Sequence, residues 1–578
     1  QYDVIVTNPP YMNPNKNKIL SDYVKKHYPD SKSDLFAAFM EIDHNLKENG
    51  FYAMINQHAW MFLSSFEKLR TKVLNNKFIE TKVHLGPHAF EEIGGEVVQS
   101  TSFVMRNAEI KNIAGSYIDV TDSDSALSKK TKLIEAIKKL NIPYHYFVYQ
   151  ENFRKIPGNP IAYWVSEKFI KNFSKGINIT SIAKYTGSQN KTANNSKYLR
   201  FLWEVENQKV GKNKKWIIYA KGGEFRKYYG NLDIVVDWSD SARNYYKTNK
   251  TSNLLDEKFW YQEGITYTML TSKGTSFRLF PPVGVFDMGG PTICNVQDQS
   301  YILGLLNSKV INSYLKVLNP TLNLQFRDVN NLPIIIENEY KRKIEKLVDE
   351  NVLIAKNDWD SFETSWDFEK HPFMKFPSIK IEQSFKEWDK FTETQFNHLK
   401  ENEEELNKIF IEIYGLEDEL TPEVADEDVT VRKADIERDV KSFISYAVGC
   451  AFGRYSLDGD GLVYAGGEFD PRRYKTFPAD EDNILPILSG SYFEDDLVNR
   501  FIQFVEVTYG SETLEENLQF VAEAIGQRKN ETASETIRRY FLNDFYKDHV
   551  KTYKKRPIYW LFTSGKEKAF NCLIYMHR

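Results

Sequence analysis

The stretch Tyr2-Asp3-Val4-Ile5-Val6-Thr7-Asn8-Pro9-Pro10-Tyr11 decides the fold class. Its first six residues read as a short buried strand. Asn8-Pro9-Pro10 stops that strand, because two adjacent prolines offer a ladder no backbone N–H. Alternation follows. Ser33-Asp34 can cap a helix whose Leu35, Phe36, Phe39, Met40, Ile42 and Leu46 form an apolar stripe stopped by Gly50. Residues 51–56 read as a second strand, 64–74 as a helix, 78–85 as a third strand and 97–105 as a fourth. This alternation predicts a mostly parallel, Rossmann-like doubly wound α/β sheet with covering helices. Open sheets of this kind bind ligands at the carboxyl ends of their strands, and the Asn8–Tyr11 turn stands at such an end.

Working outward, residues 108–150 read as a connector with one Lys-rich helix over 127–140. Residues 151–336 change texture to short strand-like runs among Gly, Asn, Tyr and Trp, an α/β region. Residues 337–428 are a helical spacer, with apolar stripes at Ile344, Leu347, Val348 and Val352 and at Leu399, Leu406, Ile409, Phe410 and Ile413, closing on an acidic linker over 417–428. Residues 429–578 read as a mainly helical C-terminal region that ends on a strand-like run, Cys572-Leu573-Ile574-Tyr575-Met576. The chain opens on Gln1 directly before a strand, which reads as a piece of a longer protein.

A chain of 578 residues is too long for one core. The 41% hydrophobic and 14% aromatic shares are globular, outside the disordered class. A net charge of −4 does not announce a nucleic-acid binder, though a local basic groove is all that one needs. Three dispersed cysteines, Cys294, Cys450 and Cys572, fit a reducing cytoplasm and offer neither a zinc knuckle nor a disulfide frame. No apolar run reaches about 18 residues, the length of a membrane-spanning helix.

Asn8-Pro9-Pro10-Tyr11 carries the chemistry. An exocyclic adenine amino group is a poor nucleophile, because its lone pair is delocalised into the ring. Two acceptors aimed at its hydrogens draw the nitrogen toward tetrahedral geometry. The Asn8 side-chain carbonyl and the Pro9 main-chain carbonyl can be those acceptors, the prolines stiffen the turn, and Tyr11 offers a face for a flipped base.

With Ser33-Asp34-Leu35-Phe36, then Gly50-Phe51-Tyr52-Ala53-Met54-Ile55, His58-Ala59-Trp60 and Lys68-Leu69-Arg70, the segment resembles the gamma-type adenine-N6 DNA methyltransferases, lacking their N-terminal part. It departs from them at Asn56-Gln57, where many relatives carry a proline. The resemblance implies that residues 1–107 are the catalytic part of a methyltransferase domain dependent on S-adenosylmethionine, with Asn8 and Pro10 bordering the cofactor. The family's glycine-rich cofactor loop lies upstream of the motif, and neither Gly94-Gly95 nor Gly222-Gly223 has the strand–turn–helix setting of one.

Residues 151–336 resemble the target-recognition part of the large methyltransferases of BREX phage-exclusion systems. The resemblance rests on Tyr219-Ala220-Lys221-Gly222-Gly223-Glu224-Phe225-Arg226-Lys227-Tyr228-Tyr229-Gly230, Glu263-Gly264-Ile265-Thr266-Tyr267, Leu303-Gly304-Leu305-Leu306-Asn307-Ser308-Lys309 and Leu318-Asn319-Pro320-Thr321-Leu322-Asn323. Lys197, Arg200, Lys215, Lys221, Arg226, Lys227 and Tyr228 are the expected contacts to double-stranded DNA, lysines tracking phosphates and arginines reading base edges. The resemblance also implies partner proteins of the exclusion machine, bound through the helical C-terminal region.

Two rivals share these features. One is the methyltransferase and specificity part of a fused restriction–modification enzyme with a nuclease upstream. The other is a non-catalytic DNA-binding specificity subunit, against which the intact Asn8–Tyr11 acceptors argue. Pro29-Asp30 with Glu80-Thr81-Lys82 matches a nuclease pattern only formally. His27, His44, His58, His84 and His88 lack metal-ligand spacing and read as surface or core residues, and Asp458-Gly459-Asp460-Gly461 reads as a turn, so no metal is expected.

Overall fold

The computed structural model describes residues 2–90, 99–184, 189–271, 273–565 and 570–578. It is mixed α/β with a helix-rich C-terminal region, and it divides into two compact units. The first comprises residues 1–181, 309–337 and 410–421, the second residues 182–308, 338–409 and 422–578. The expected domain at 151–336 is thereby split. Texture along a chain reports local structure, whereas the units are set by which elements pack together.

The first unit is built on six strands: β1 (Tyr2–Thr7), β2 (Leu46–Gln57), β3 (Phe78–Gly86), β4 (Ser100–Arg106), β5 (Ala114–Asp119) and β6 (His145–Tyr149), in the order β1-β2-β4-β3-β5-β6. Among the described residues β1/β2 and β3/β5 pair in parallel, while β2/β4, β4/β3 and β5/β6 are antiparallel. The sheet is therefore mixed, not mostly parallel, because β4 turns back between β2 and β3. The expected connector at 108–150 is also corrected. It supplies β5 and β6, and its helix, Ala126–Lys138, packs Ala136 and Leu133 against Ile118, Val120 and Val83.

Expected elements shift in detail. The helix after Asp34 runs only over Leu35–Phe39 before a 3-10 turn at Ile42–Asn45, and β2 begins at Leu46. Strand β4 begins at Ser100, and Gly94, Gly95 and Val97 lie outside the described residues. Strand β1 is an edge strand whose Tyr2, Val4 and Val6 are 65%, 57% and 75% exposed, against the buried strand expected. Ile5, on the opposite face, is half-buried and packs against the core of the unit. The core of the unit gathers Phe36, Trp60, Leu69, Phe103, Met105, Tyr117 and Tyr163, all nearly free of solvent.

Among the described residues the second unit holds three small sheets. Strands β7 (Leu199–Phe201), β8 (Trp216–Ala220), β9 (Ile234–Asp237) and β12 (Gly284–Phe286) run in the order β12-β8-β9-β7. Strands β10 (Gly264–Tyr267), β11 (Phe277–Phe280) and β13 (Thr292–Cys294) run in the order β11-β10-β13. The strand-like C-terminal run becomes β16 (Asn571–Tyr575), central between β14 (Ile484–Ile487) and β15 (Tyr559–Thr563). Long helices at Asn338–Asp360 and Ile381–Tyr414 follow the predicted stripes. The acidic stretch is not a free linker. Asp418 pairs with Lys168, Asp426 pairs with Lys400, and Leu416 and Val424 are buried.

Candidate functional site

The Asn8–Tyr11 turn leaves β1 at its carboxyl end. Asn8 and Pro10 are exposed, Pro9 is buried and Tyr11 is half-buried. Asp34 fastens the turn. Its Oδ1 accepts from Met12 N at 3.0 Å and from Phe36 N at 3.4 Å, while Met12 O accepts from Leu35 N at 3.1 Å. One carboxylate thus caps the short helix and ties down the chain just past Tyr11. Burial raises the Asp34 carboxyl above its usual value against these donors. The Tyr11 ring meets Phe36 edge-on at 6.1 Å, and burial raises its hydroxyl, which faces Ser100. Nearby Asn56, fully buried, has no hydrogen-bond partner for either side-chain atom.

Arg70, in the Lys68-Leu69-Arg70 stretch, is buried and binds carbonyls: Trp60 O at 2.9 Å, Leu63 O at 2.7 Å and Gly158 O at 2.7 Å. Its role is to hold the segment after β2 in place.

The residues expected on DNA part company. Arg226 and Lys227 are buried at 9% and 7% exposure and spent on ion pairs, Arg226 with Asp358 and Lys227 with Glu403 at 2.6 Å. Tyr228 is 1% exposed, with a left-handed backbone (φ 66°) that pairs with β11 at Phe277 and Leu279. These three are core, correcting their assignment to the DNA groove. The sequence shows their charge but not the acid more than a hundred residues away that neutralises each one. Trp203, Trp216, Tyr198 and Tyr229 are likewise buried.

The rest stay at the surface. Lys197 and Lys215 are exposed, Lys215 standing 4.0 Å from Asp237. Arg200 donates to Ser196 O at 2.9 Å and lies 6.0 Å from the Trp216 ring. Lys221 pairs with Asp287 at 2.9 Å. Asn195, Ser196, Arg200, Lys221 and Arg556 help line an open cleft of about 570 Å³. Arg556, unremarked in the sequence, comes from the C-terminal region of the same unit, and no local signal marks it.

Among the described residues one acidic group, Asp480, Asp482 and Asp495, has metal-ligand spacing, and it belongs to the second unit. No described helix is long and apolar enough to cross a membrane.

Residues 1–90 match the Eco57I restriction-modification methylase family. Over all of its length the chain is 41% identical to the adenine-specific methyltransferase PglX of Lacticaseibacillus casei (strain Zhang), covering 50% of that protein. It is 40% identical to the adenine-specific methyltransferase BrxX of Escherichia coli O9:H4 (strain HS), again covering 50%. The chain spans about half the length of these relatives. A structure of the Type IIL restriction-modification enzyme MmeI in complex with DNA superposes with a TM-score of 0.43 at 13% identity, over 72% of this chain and 55% of that one. The chain belongs to the family of the adenine-specific methyltransferases PglX and BrxX.

Proposed function

We propose that this chain carries the methyl-transfer centre and part of the DNA reader of a site-specific DNA adenine-N6 methyltransferase. The observation that carries the reading is the Asn8–Tyr11 turn, held open at a strand's carboxyl end by Asp34. S-adenosylmethionine supplies the methyl group as a sulfonium cation. The turn suits a cation, since residues 8–15 carry no charged side chain and present carboxamide and carbonyl oxygens. Asn8 and Pro10 would border it.

Asn8 Oδ1 and Pro9 O accept the two N6 hydrogens and so localise the lone pair on nitrogen. Tyr11, braced by Phe36, presents its ring to the flipped base. Binding to double-stranded DNA falls to Lys197, Arg200 and Lys215 in the second unit, whereas Lys221 is already held by Asp287. Self-marking in a BREX system, partner proteins on the C-terminal region and a cytoplasmic location complete the proposal. Three buried free thiols suit a reducing compartment.

The test is Asn8→Ala in the full-length protein. Losing an acceptor that acts on developing charge costs on the order of 3 kcal/mol in oxyanion-hole precedents, roughly a hundredfold or more in rate. Because Asn8 is exposed, the variant should fold normally. Equal methyl-adenine yields from variant and wild type would sink the assignment.

A further inference from the structure

The register of the first sheet lays one polar row across its carboxyl edge. Thr7 pairs with Met54, so the Asn8–Pro9 turn stands level with Ile55 and Asn56. Asn56 then pairs with Thr101, Thr101 with His84, and His84 with Asp119. Directly opposed residues share a face of a sheet, so these side chains lie in one line on one face. Tyr11 faces Ser100, which pairs with Gln57, the neighbour of His58.

Three contacts join this row into a chain. His58 Nδ1 lies 2.9 Å from His84 Nε2, His84 Nδ1 lies 2.9 Å from Tyr163 Oη, and Tyr163 donates to Asp119 Oδ2 at 2.7 Å. The last bond sets the direction of the others. Tyr163 gives its only proton to a carboxylate, so its oxygen accepts from His84 Nδ1–H. A neutral imidazole has one N–H, so His84 Nε2 accepts in turn from His58 Nδ1–H. His58 Nε2 is left as a bare acceptor at the end nearest Tyr11. Burial, with the Lys82 ammonium nearby, pushes both imidazoles well below their usual value and keeps them neutral. His84 and Tyr163 are buried, while His58 and Asp119 are each partly exposed, so the chain runs from one accessible end to another.

We propose that His58, His84, Tyr163 and Asp119 form a proton relay for the amino-group chemistry at the Asn8 turn, an inference that rests on the methyl transfer proposed above. As N6 bonds to the methyl carbon, the carbon–sulfur bond breaks, its electron pair leaves with sulfur, and the now cationic N6 sheds a proton. His58 Nε2 takes that proton and passes its Nδ1 proton to His84 Nε2. His84 passes its Nδ1 proton to Tyr163 Oη, and Tyr163 passes its own to the Asp119 carboxylate. No imidazolium accumulates. Loss of the proton from Asp119 to water, with the tautomers swapping back, resets the chain. The alternative is a strut that merely fixes the sheet edge.

Two measurements separate relay from strut. Solid-state NMR of the 578-residue chain labelled with ¹⁵N-histidine reads the resting tautomers, with His58→Gln and His84→Gln identifying the signals. Two neutral rings protonated at Nδ1 at pH 6 are expected, and imidazolium or an Nε2–H tautomer at either site overturns the relay. In the full-length protein Tyr163→Phe keeps the ring stacked 5.5 Å from Tyr117 and removes only the hydroxyl. It should slow single-turnover methyl transfer about tenfold or more, as loss of acid–base assistance does, with a smaller solvent deuterium isotope effect and a shifted pH profile. An unchanged rate, or a slowing that leaves the isotope effect and pH profile intact, marks a strut and overturns the proposal. Asn8→Ala run alongside tells the two readings apart. Equal methylation by that variant removes the methyl-transfer assignment, and the relay's task with it, whatever tautomers the histidines show.

Discussion

Lys82 is a single residue with a measurable thermodynamic signature. Its ammonium is buried at 1% exposure with no hydrogen-bond partner, 4.7 Å over the Tyr163 ring. Burial lowers its pKa to about 7, with Asp119 opposing the shift. His58 and His84, also near, are neutral and supply no counter-charge. Between about 7 and the usual lysine value the unfolded chain binds this proton and the folded chain does not. Stability contributed by this site therefore rises as pH climbs through that window, and is lowest below about 7, where folding buries the charge. Lys82→Met keeps the stem and removes the charge. It should raise the urea midpoint of the first unit at pH 6 and flatten the rise between pH 7 and 10. A variant less stable at pH 6, or one that keeps the full slope, contradicts this account.

At the scale of elements, Asp34 decides whether the turn is held. Asp34→Ala removes both the cap of the Leu35–Phe39 helix and the anchor on Met12 N. Cap loss costs about 1 kcal/mol. Methylation by the full-length protein should fall further than that modest loss explains, because Asn8 and Tyr11 sit on the released segment. Asp34→Asn, which keeps the acceptor oxygen, should restore most of both, and failure of that rescue would point to the charge instead. The turn, the Asp34 cap and the presence of strands β1 to β4 were legible because each leaves a local mark, whereas the bond from Met12 N to Asp34, which spans 22 positions, was not. The place of β4 was not legible, since strand order depends on which edge is free once the chain has folded. The His58–His84 contact spans 26 positions, from the turn after β2 to β3, with no period to announce it. Neither Gly222-Gly223 nor Gly94-Gly95, which lies outside the described residues, reads in the sequence as a cofactor loop, so the sequence offered the proposed methyl donor a place only along Asn8.

Taken whole, the molecule is mildly acidic, with 76 Lys and Arg against 80 Asp and Glu, so the DNA affinity proposed above has to come from cations that no acid has claimed. That criterion divides the basic residues of 197–227 more sharply than their spacing did. Arg226 and Lys227 answer Asp358 and Glu403 inside the second unit. Lys197 is exposed, and Lys215 has 52% of its side chain exposed with its acid at the 4.0 Å limit of a salt bridge. Each phosphate contact releases condensed counterions and contributes about 0.9 to the slope of log affinity against log salt. Lys197→Gln with Lys215→Gln in the full-length protein should therefore lower that slope by close to two contacts, about 1.8, without moving the unfolding midpoint. Lys227→Gln should do the opposite. Breaking a buried pair leaves Glu403 uncompensated, at a cost of about 3 kcal/mol or more in stability, while the salt slope stays as it was. Fluorescence anisotropy with a labelled duplex from 50 to 300 mM salt, beside urea titrations of each variant, reads both quantities. A slope unmoved by the exposed pair of substitutions would remove Lys197 and Lys215 from the DNA-facing surface, and one lowered by Lys227→Gln in a fully folded protein would return Lys227 to it.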